Sequence, residues 1–414
     1  LMEEFLRAEI EFDKVPSLAM SQYAHAFDLS EQKKVHHDRK APTEDRLTCK
    51  AHYISHLVDG KVNGSQVAID KLVGSVFNIT RNHDLSLLSL MDKGPYDMLL
   101  AHRQFESYVD FVQQQLNKAA EEAKENLGTT SNNVQPSQGT DKFSFSPSDC
   151  EVMIDVSGSM SGQPMHAAIG IGMLIMALQK KEKPESKSSF LTFDETPSFV
   201  DITECSSFPE AVTGIKNSPW GGSTNFVKAF DLMLKKSGNN IANAKKTLVV
   251  LSDMQFDTAL GYTYHSFGGG YHHGGCNTGN RSQEKTVDRW ETMYATICKM
   301  WKDWYNIDQC ATNLPTIVFW NLRGDTKGHP VKSDTKGVTE ISGFSASLFK
   351  MVLFGEELAQ TVDPVTGEKE KPDPSQVLAR TLTAKEYDCV KEALGWKDGK
   401  LGDCKFKSEC EALA

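Results

Sequence analysis

The sequence predicts an α/β domain with a mostly parallel sheet, preceded by an all-α region and followed by a short helical tail. Three observations carry this reading. Apolar residues over positions 1–127 recur at helical spacing, a Gly/Ser/Asn-rich stretch at 128–148 interrupts them, and short strands then alternate with helices. The chain accordingly divides into a helical region at 1–127, a linker at 128–148, an α/β domain at 149–357 and a helical tail at 358–414.

In the first region, Phe105, Tyr108, Val109, Val112 and Leu116 form one apolar stripe. The helix that carries them is expected to begin near Pro95 and stop at Gly128. Ser65 reads as the N-cap of an earlier helix whose apolar face includes Leu72, Val73 and Val76. The stretch 31–46 is highly charged, contains Pro42, and reads as an exposed connection. No catalytic constellation stands out in this region.

Past the linker, strands are expected at 150–156, 188–193, 198–202, 247–252, 316–322 and 337–341, and helices at 165–178, 225–236, 287–304 and 346–354. Leu248-Val249-Val250-Leu251 and Ile317-Val318-Phe319-Trp320 are unbroken apolar runs, as central strands buried on both faces require. Trp290, Met293, Ile297, Trp301 and Trp304 repeat at helical spacing and form a core-facing stripe. In the tail, Asp373-Pro374 and the capping-box pattern Thr383 to Glu386 mark helix starts.

Composition narrows the function classes. The 414 residues carry a formal net charge of −10, which argues against a general nucleic-acid coat. No apolar run approaches the ~18 residues of a membrane span. The nine cysteines are scattered and contain no Cys-x-x-Cys pair, so reduced thiols are expected rather than a disulfide framework or structural zinc. An intracellular location follows, cytoplasmic in preference to nuclear. The chain starts Leu1-Met2-Glu3-Glu4-Phe5 without an initiator Met, so it reads as a piece of something longer.

The sharpest chemical signal is Asp155-Val156-Ser157-Gly158-Ser159 at the end of the first strand. A hard divalent cation takes oxygen ligands, and an aspartate followed by alternate serines converges on one point when the chain turns out of a strand. Gly158 is expected to permit that turn. Gly221-Gly222-Ser223-Thr224-Asn225 offers a further hydroxyl before a helix, and Leu251-Ser252-Asp253 a carboxylate after a buried strand. Ligands of open α/β sheets gather outside the carboxyl ends of the strands, where all three loops fall. Mg²⁺ or Mn²⁺ is the expected cofactor, since few carboxylates disfavour a Ca²⁺ cage.

This set resembles the metal-ion-dependent adhesion site (MIDAS) of von Willebrand factor A domains, whose sheet is Rossmann-like. The resemblance implies that Ser157, Ser159 and Thr224 bind metal by hydroxyl oxygens. It also implies that Asp155 and Asp253 bind directly or through water, leaving one position open for a partner's carboxylate. Longer strings, among them Trp220 to Phe226, Leu251 to Asp257 and Val318 to Arg323, resemble an uncharacterised eukaryotic family known as domain of unknown function 2828. That family's upstream helical segment is expected to be missing here. The layout is also similar to Ro-type (TROVE) RNA-binding proteins, which join a helical ring to a von Willebrand A domain.

Competing readings are weaker. Gly158-Ser159-Met160-Ser161-Gly162 comes close to the nucleophile elbow of α/β-hydrolases. Only helices and a linker precede it, however, and Asp325 and His329 share one short loop, so no triad and no enzyme is expected. Arg323-Gly324-Asp325 spells the integrin-binding tripeptide by chance, with Arg323 read as the end of a strand. The 258–284 insertion holds Tyr262, Tyr264, His265, His272 and His273, which are candidates for shaping partner access to the metal face. The resulting expectation is a non-catalytic interaction protein that binds a partner's Asp or Glu through the metal. The alternative is RNA binding by the helical region, through the cluster Lys33, Lys34, His36, His37, Arg39 and Lys40. No membrane partner is expected, and the oligomeric state stays open.

Overall fold

After strand β1 (Cys150–Asp155) the chain builds the sheet outward on one side, then returns to build it on the other. The computed structural model describes residues 9–28, 43–60, 62–64, 66–77, 84–128, 146–193, 197–218, 226–253, 296–307, 314–323, 337–343, 361–362 and 369–370. Positions Leu1–Thr130 and Ser146–Leu348 make up one compact unit, and Ser131–Phe145 with Phe349–Ala414 a second.

The helical part of the first unit consists of α1 (Ser17–Phe27), α2 (Glu44–Asp59), α3 (Ile69–Phe77), α4 (Leu87–Lys93) and α5 (Tyr96–Gly128). The long helix starts after Pro95 and reaches Gly128, as its apolar stripe and flanking residues require. Helix α2 starts inside the stretch read as a connection, because Thr43 caps it by accepting a hydrogen bond from the Arg46 N–H. Helix α3 starts three residues later than an N-cap at Ser65 implies. Gln66 to Ala68 form a turn, closed by the Val67 N–H donating to the Gly64 carbonyl, and Ser65 lies outside the described residues.

The α/β part contains α6 (Gln163–Glu182), β2 (Ser189–Phe193), β3 (Ser198–Asp201), α7 (Phe208–Lys216), α8 (Phe226–Ser237), β4 (Thr247–Ser252), β5 (Thr316–Asn321) and β6 (Val338–Ser342). The six strands lie in the order β3-β2-β1-β4-β5-β6. All pair in parallel except β3, which runs antiparallel to β2. This is a mostly parallel, Rossmann-like sheet. Because β2 and β4 flank β1 on opposite sides, the topological switch point falls between β1 and β4.

Both faces of the sheet are covered, which is why β1 and β4 are buried at every residue. On one face lies α6, and it comes so close that a Cβ on Gly172 would stand 2.7 Å from Ile154 Cδ1. On the other, α8 and the helical residues 296–305 pack Phe226, Phe230, Ile297 and Trp301 against Met153, Val250 and Phe319. Full burial of each such side chain stabilises by roughly 1.5–3 kcal/mol. Trp304 is partly buried and donates its indole N–H to the Gly238 carbonyl at 2.9 Å, whereas Trp290 and Met293 lie outside the described residues.

The helical part joins this body through α3 and α6. Ile69 fills the space over Gly170, where a Cβ would meet its Cγ1 at 2.8 Å, and Gln163 donates to Asp70 Oδ2 at 2.9 Å. Phe105 of α5 stacks on Phe208 of α7 with centroids 4.3 Å apart. Helix α7 has no counterpart among the expected elements, although Ser207 and Glu210 form its capping box. The Glu210 N–H donates to Ser207 Oγ, and Glu210 Oε2 accepts from the Ser206 N–H.

The second unit contributes one short described ribbon, β7 (Thr361–Val362) antiparallel to β8 (Lys369–Glu370), inside a stretch read as a helical tail. The tail helices at 373–395 and the helix at 346–354 lie outside the described residues. Among the described residues no helix is long and apolar enough to cross a membrane, and Cys49, Cys150, Cys205 and Cys298 form no disulfide with one another.

Candidate metal centre

Strands β1 and β4 end side by side at the switch point, and each delivers a carboxylate there. Asp155 is the last residue of β1, Asp253 directly follows β4, and their residue exposures are only 1% and 0%. Past Asp155 the chain stays extended through Ser157 and then makes a single 3-10 turn, Gly158–Met160, closed by the Met160 N–H donating to the Ser157 carbonyl. Met160 is fully buried and pins this turn to the core. The turn brings the Ser157 and Ser159 hydroxyl oxygens to 2.9 Å from each other.

Gly158 does not carry the role expected of it. Its backbone is not left-handed, and an added Cβ would meet nothing within 4 Å. The glycine that the loop does require is Gly162, at φ +88° just before α6.

Both oxygens of Asp155 are held. Oδ1 accepts from the Ser157 N–H at 2.9 Å, and Oδ2 accepts from Ser252 Oγ at 2.6 Å. Burial pushes the Asp155 carboxyl above the usual carboxylate range, and Asp253 pushes it the same way, while the bonds from Ser252 and Ser157 oppose them. A buried carboxyl beside a second one is relieved by a proton or by a nearby cation. One is already at hand, because the Arg323 guanidinium reaches in from the end of β5. Its Nη1 donates to the Ser159 carbonyl at 3.0 Å and stands 3.7 Å from Asp253 Oδ2.

The described donors of this pocket, two carboxylates and two serine hydroxyls, suit a hard divalent ion. Among the described residues no group of three or more His, Cys, Asp or Glu side chains that could hold a metal ion is found. Asp155, Ser157, Ser159 and Asp253 are thus placed at one sheet edge. Thr224 lies outside the described residues, two positions before Phe226 opens α8. Tyr262, Tyr264, His265, His272 and His273 also lie outside them, as do Asp325, His329 and the basic cluster at 33–40. The elbow reading loses its nucleophile, because buried Met160 occupies the central position of Gly158 to Gly162 where that motif needs a serine.

Two residues of the site escaped the sequence reading. Ser252 lay within a quoted motif but had no assigned role, and only the β1–β4 pairing shows that it faces Asp155. Arg323 was read as a strand end, and its contact with Ser159 spans 164 positions.

Comparison with known families gives the chain a family without a described function. The family model "Domain of unknown function (DUF7788)" matches residues 149–393, more than half of the chain. The chain belongs to this family. The DUF7788 match begins at Asp149, one residue before β1, and so includes every residue of the candidate centre. An uncharacterised protein of Acanthamoeba polyphaga mimivirus is 25% identical over 370 residues, covering 86% of this chain. The chain covers 49% of that protein's length.

Proposed function

We propose that this DUF7788 protein is a non-catalytic interaction protein that binds an acidic residue of a partner through Mg²⁺ or Mn²⁺ at a MIDAS-type site. In this reading its α/β domain is von Willebrand A-like, and its likeness to family 2828 and to the Ro-type layout belongs to the same proposal. Asp155, Ser157, Ser159 and Asp253 would hold the cation, joined by Thr224. A bound cation supplies a Lewis-acidic position that a carboxylate oxygen can occupy.

The observation that carries the reading is the buried Asp155–Asp253 pair beside two hydroxyls 2.9 Å apart, at the strand ends where the sheet order reverses. The protein's own residues prepare the site. Ser252 and the Ser157 N–H fix the Asp155 carboxylate, and buried Met160 fixes the turn that presents the serines.

The test is isolation of the intact protein from its source with and without a chelator, alongside Asp155→Ala and Ser157→Ala variants. Chelator and either substitution should release the same partner while the far-ultraviolet circular dichroism stays unchanged. A partner that stays bound through all three treatments would show that no metal bridge is used.

A further inference from the structure

Arg323 stands apart from the other residues of the centre, because it brings a positive charge to a place suited to a cation. Its guanidinium donates to the Ser159 carbonyl at 3.0 Å and lies 3.7 Å from Asp253 Oδ2, so it bridges the β1 turn and the end of β4. Its backbone is fixed too. The Arg323 N–H donates to Asn321 Oδ1, and the preceding Leu322 N–H donates to the Ser252 carbonyl, both at 2.9 Å. The side chain is 35% exposed while the Asp253 side chain is 1% exposed, so the arginine closes the solvent side of a buried carboxylate.

We infer that Arg323 is a tethered counter-cation that competes with the divalent ion for Asp253 and thereby sets the affinity of the site for metal. The inference rests on the metal-site reading above and adds a regulating residue to it. Without an ion, the guanidinium stands beside the buried Asp253 carboxylate and offsets part of its charge. An ion drawn to Asp253 and Ser159 enters the field of that same guanidinium, and like charges at such range repel, although the part-exposed guanidinium is screened on its solvent side. A neighbouring charge shifts a carboxyl group's proton affinity by 1–3 pKa units, and a divalent ion should feel it at least as much. Removing the guanidinium charge should therefore tighten metal binding by about tenfold or more.

The test is Mn²⁺ binding to the full chain, followed by electron paramagnetic resonance of the free ion. Wild type, Arg323→Gln, Arg323→Met and Arg323→Lys are compared, with thermal melts in chelator as a control. The Gln and Met variants should bind Mn²⁺ about tenfold more tightly than wild type, and the Lys variant within about threefold of it. The uncharged variants should also melt earlier in chelator and gain more from added Mn²⁺ than wild type does. Using two uncharged side chains guards against a folding defect peculiar to one of them. Equal or weaker Mn²⁺ binding by both would overturn the role of Arg323 while leaving the metal site standing. A wild-type chain that binds no Mn²⁺ would instead overturn the metal-site reading itself.

Discussion

Ser252→Ala isolates the interaction that couples the two central strands at the site. Ser252 is fully buried at the end of β4, and its hydroxyl donates to Asp155 Oδ2 at 2.6 Å. Leaving a buried carboxyl oxygen without its hydrogen-bond donor costs about 1–3 kcal/mol. Alanine removes the donor without adding volume, so Asp155 keeps only the Ser157 N–H among these two partners, in a place where water hardly reaches it. Urea unfolding in chelator should show a loss of about 1–3 kcal/mol with an unchanged slope against denaturant. A loss below about 0.5 kcal/mol would refute the reasoning, because it would mean that the buried carboxylate needs no fixed donor from β4.

Three further outcomes follow from the packing. Gly64→Ala should cost about 3 kcal/mol in the same assay, because its Cβ would stand 1.9 Å from the Gln104 carbonyl oxygen on α5, and backbone cannot swing aside as a side-chain tip can; a loss under about 1 kcal/mol would contradict that close approach. Glu210→Ala removes half of the capping box of α7 and should cost about 1 kcal/mol, read by the same urea unfolding. Burial against Phe77 and α3 holds the His166 imidazole below its ordinary pKa of 6.5, with Asp70 opposing and Lys71 assisting. The unfolded chain then takes up this proton at a higher pH than the folded one, so stability falls as pH drops below about 6.5, by at most ~1.4 kcal/mol per pH unit. His166→Asn should flatten this dependence, and an unchanged slope would assign it to other groups.

How much of this could be read in the sequence depended on the range of the forces involved. The strands were legible because a parallel sheet covered on both faces demands unbroken apolar runs. The observed β4 coincides with the expected 247–252, and β5 ends one residue before 322. The first half of the candidate site gathers for a local reason. Asp155, Ser157 and Ser159 are neighbours in the chain, and one turn suffices to gather them. Local capping chemistry was legible but overlooked at α7, where Ser207 and Glu210 announce a helix start next to Pro209.

What the sequence hides is which strand ends lie side by side. Ser252 and Arg323 acquire their roles only when β4 is seated beside β1 and β5 beside β4. Gly158 shows the converse. Its position in a turn invites a backbone explanation, yet the chain there lies in a region open to any residue, and the left-handed position is Gly162. A residue within a motif can thus do something other than its spacing implies.

Calorimetric titration of Mn²⁺ into the full chain, beside Asp155→Asn and Ser157→Ala, tests the central claim most directly. The account predicts one Mn²⁺ per wild-type chain and at least tenfold weaker binding by each variant, with urea unfolding confirming that both remain folded. A wild-type chain that binds no Mn²⁺, or variants that bind it as tightly as wild type, would contradict it.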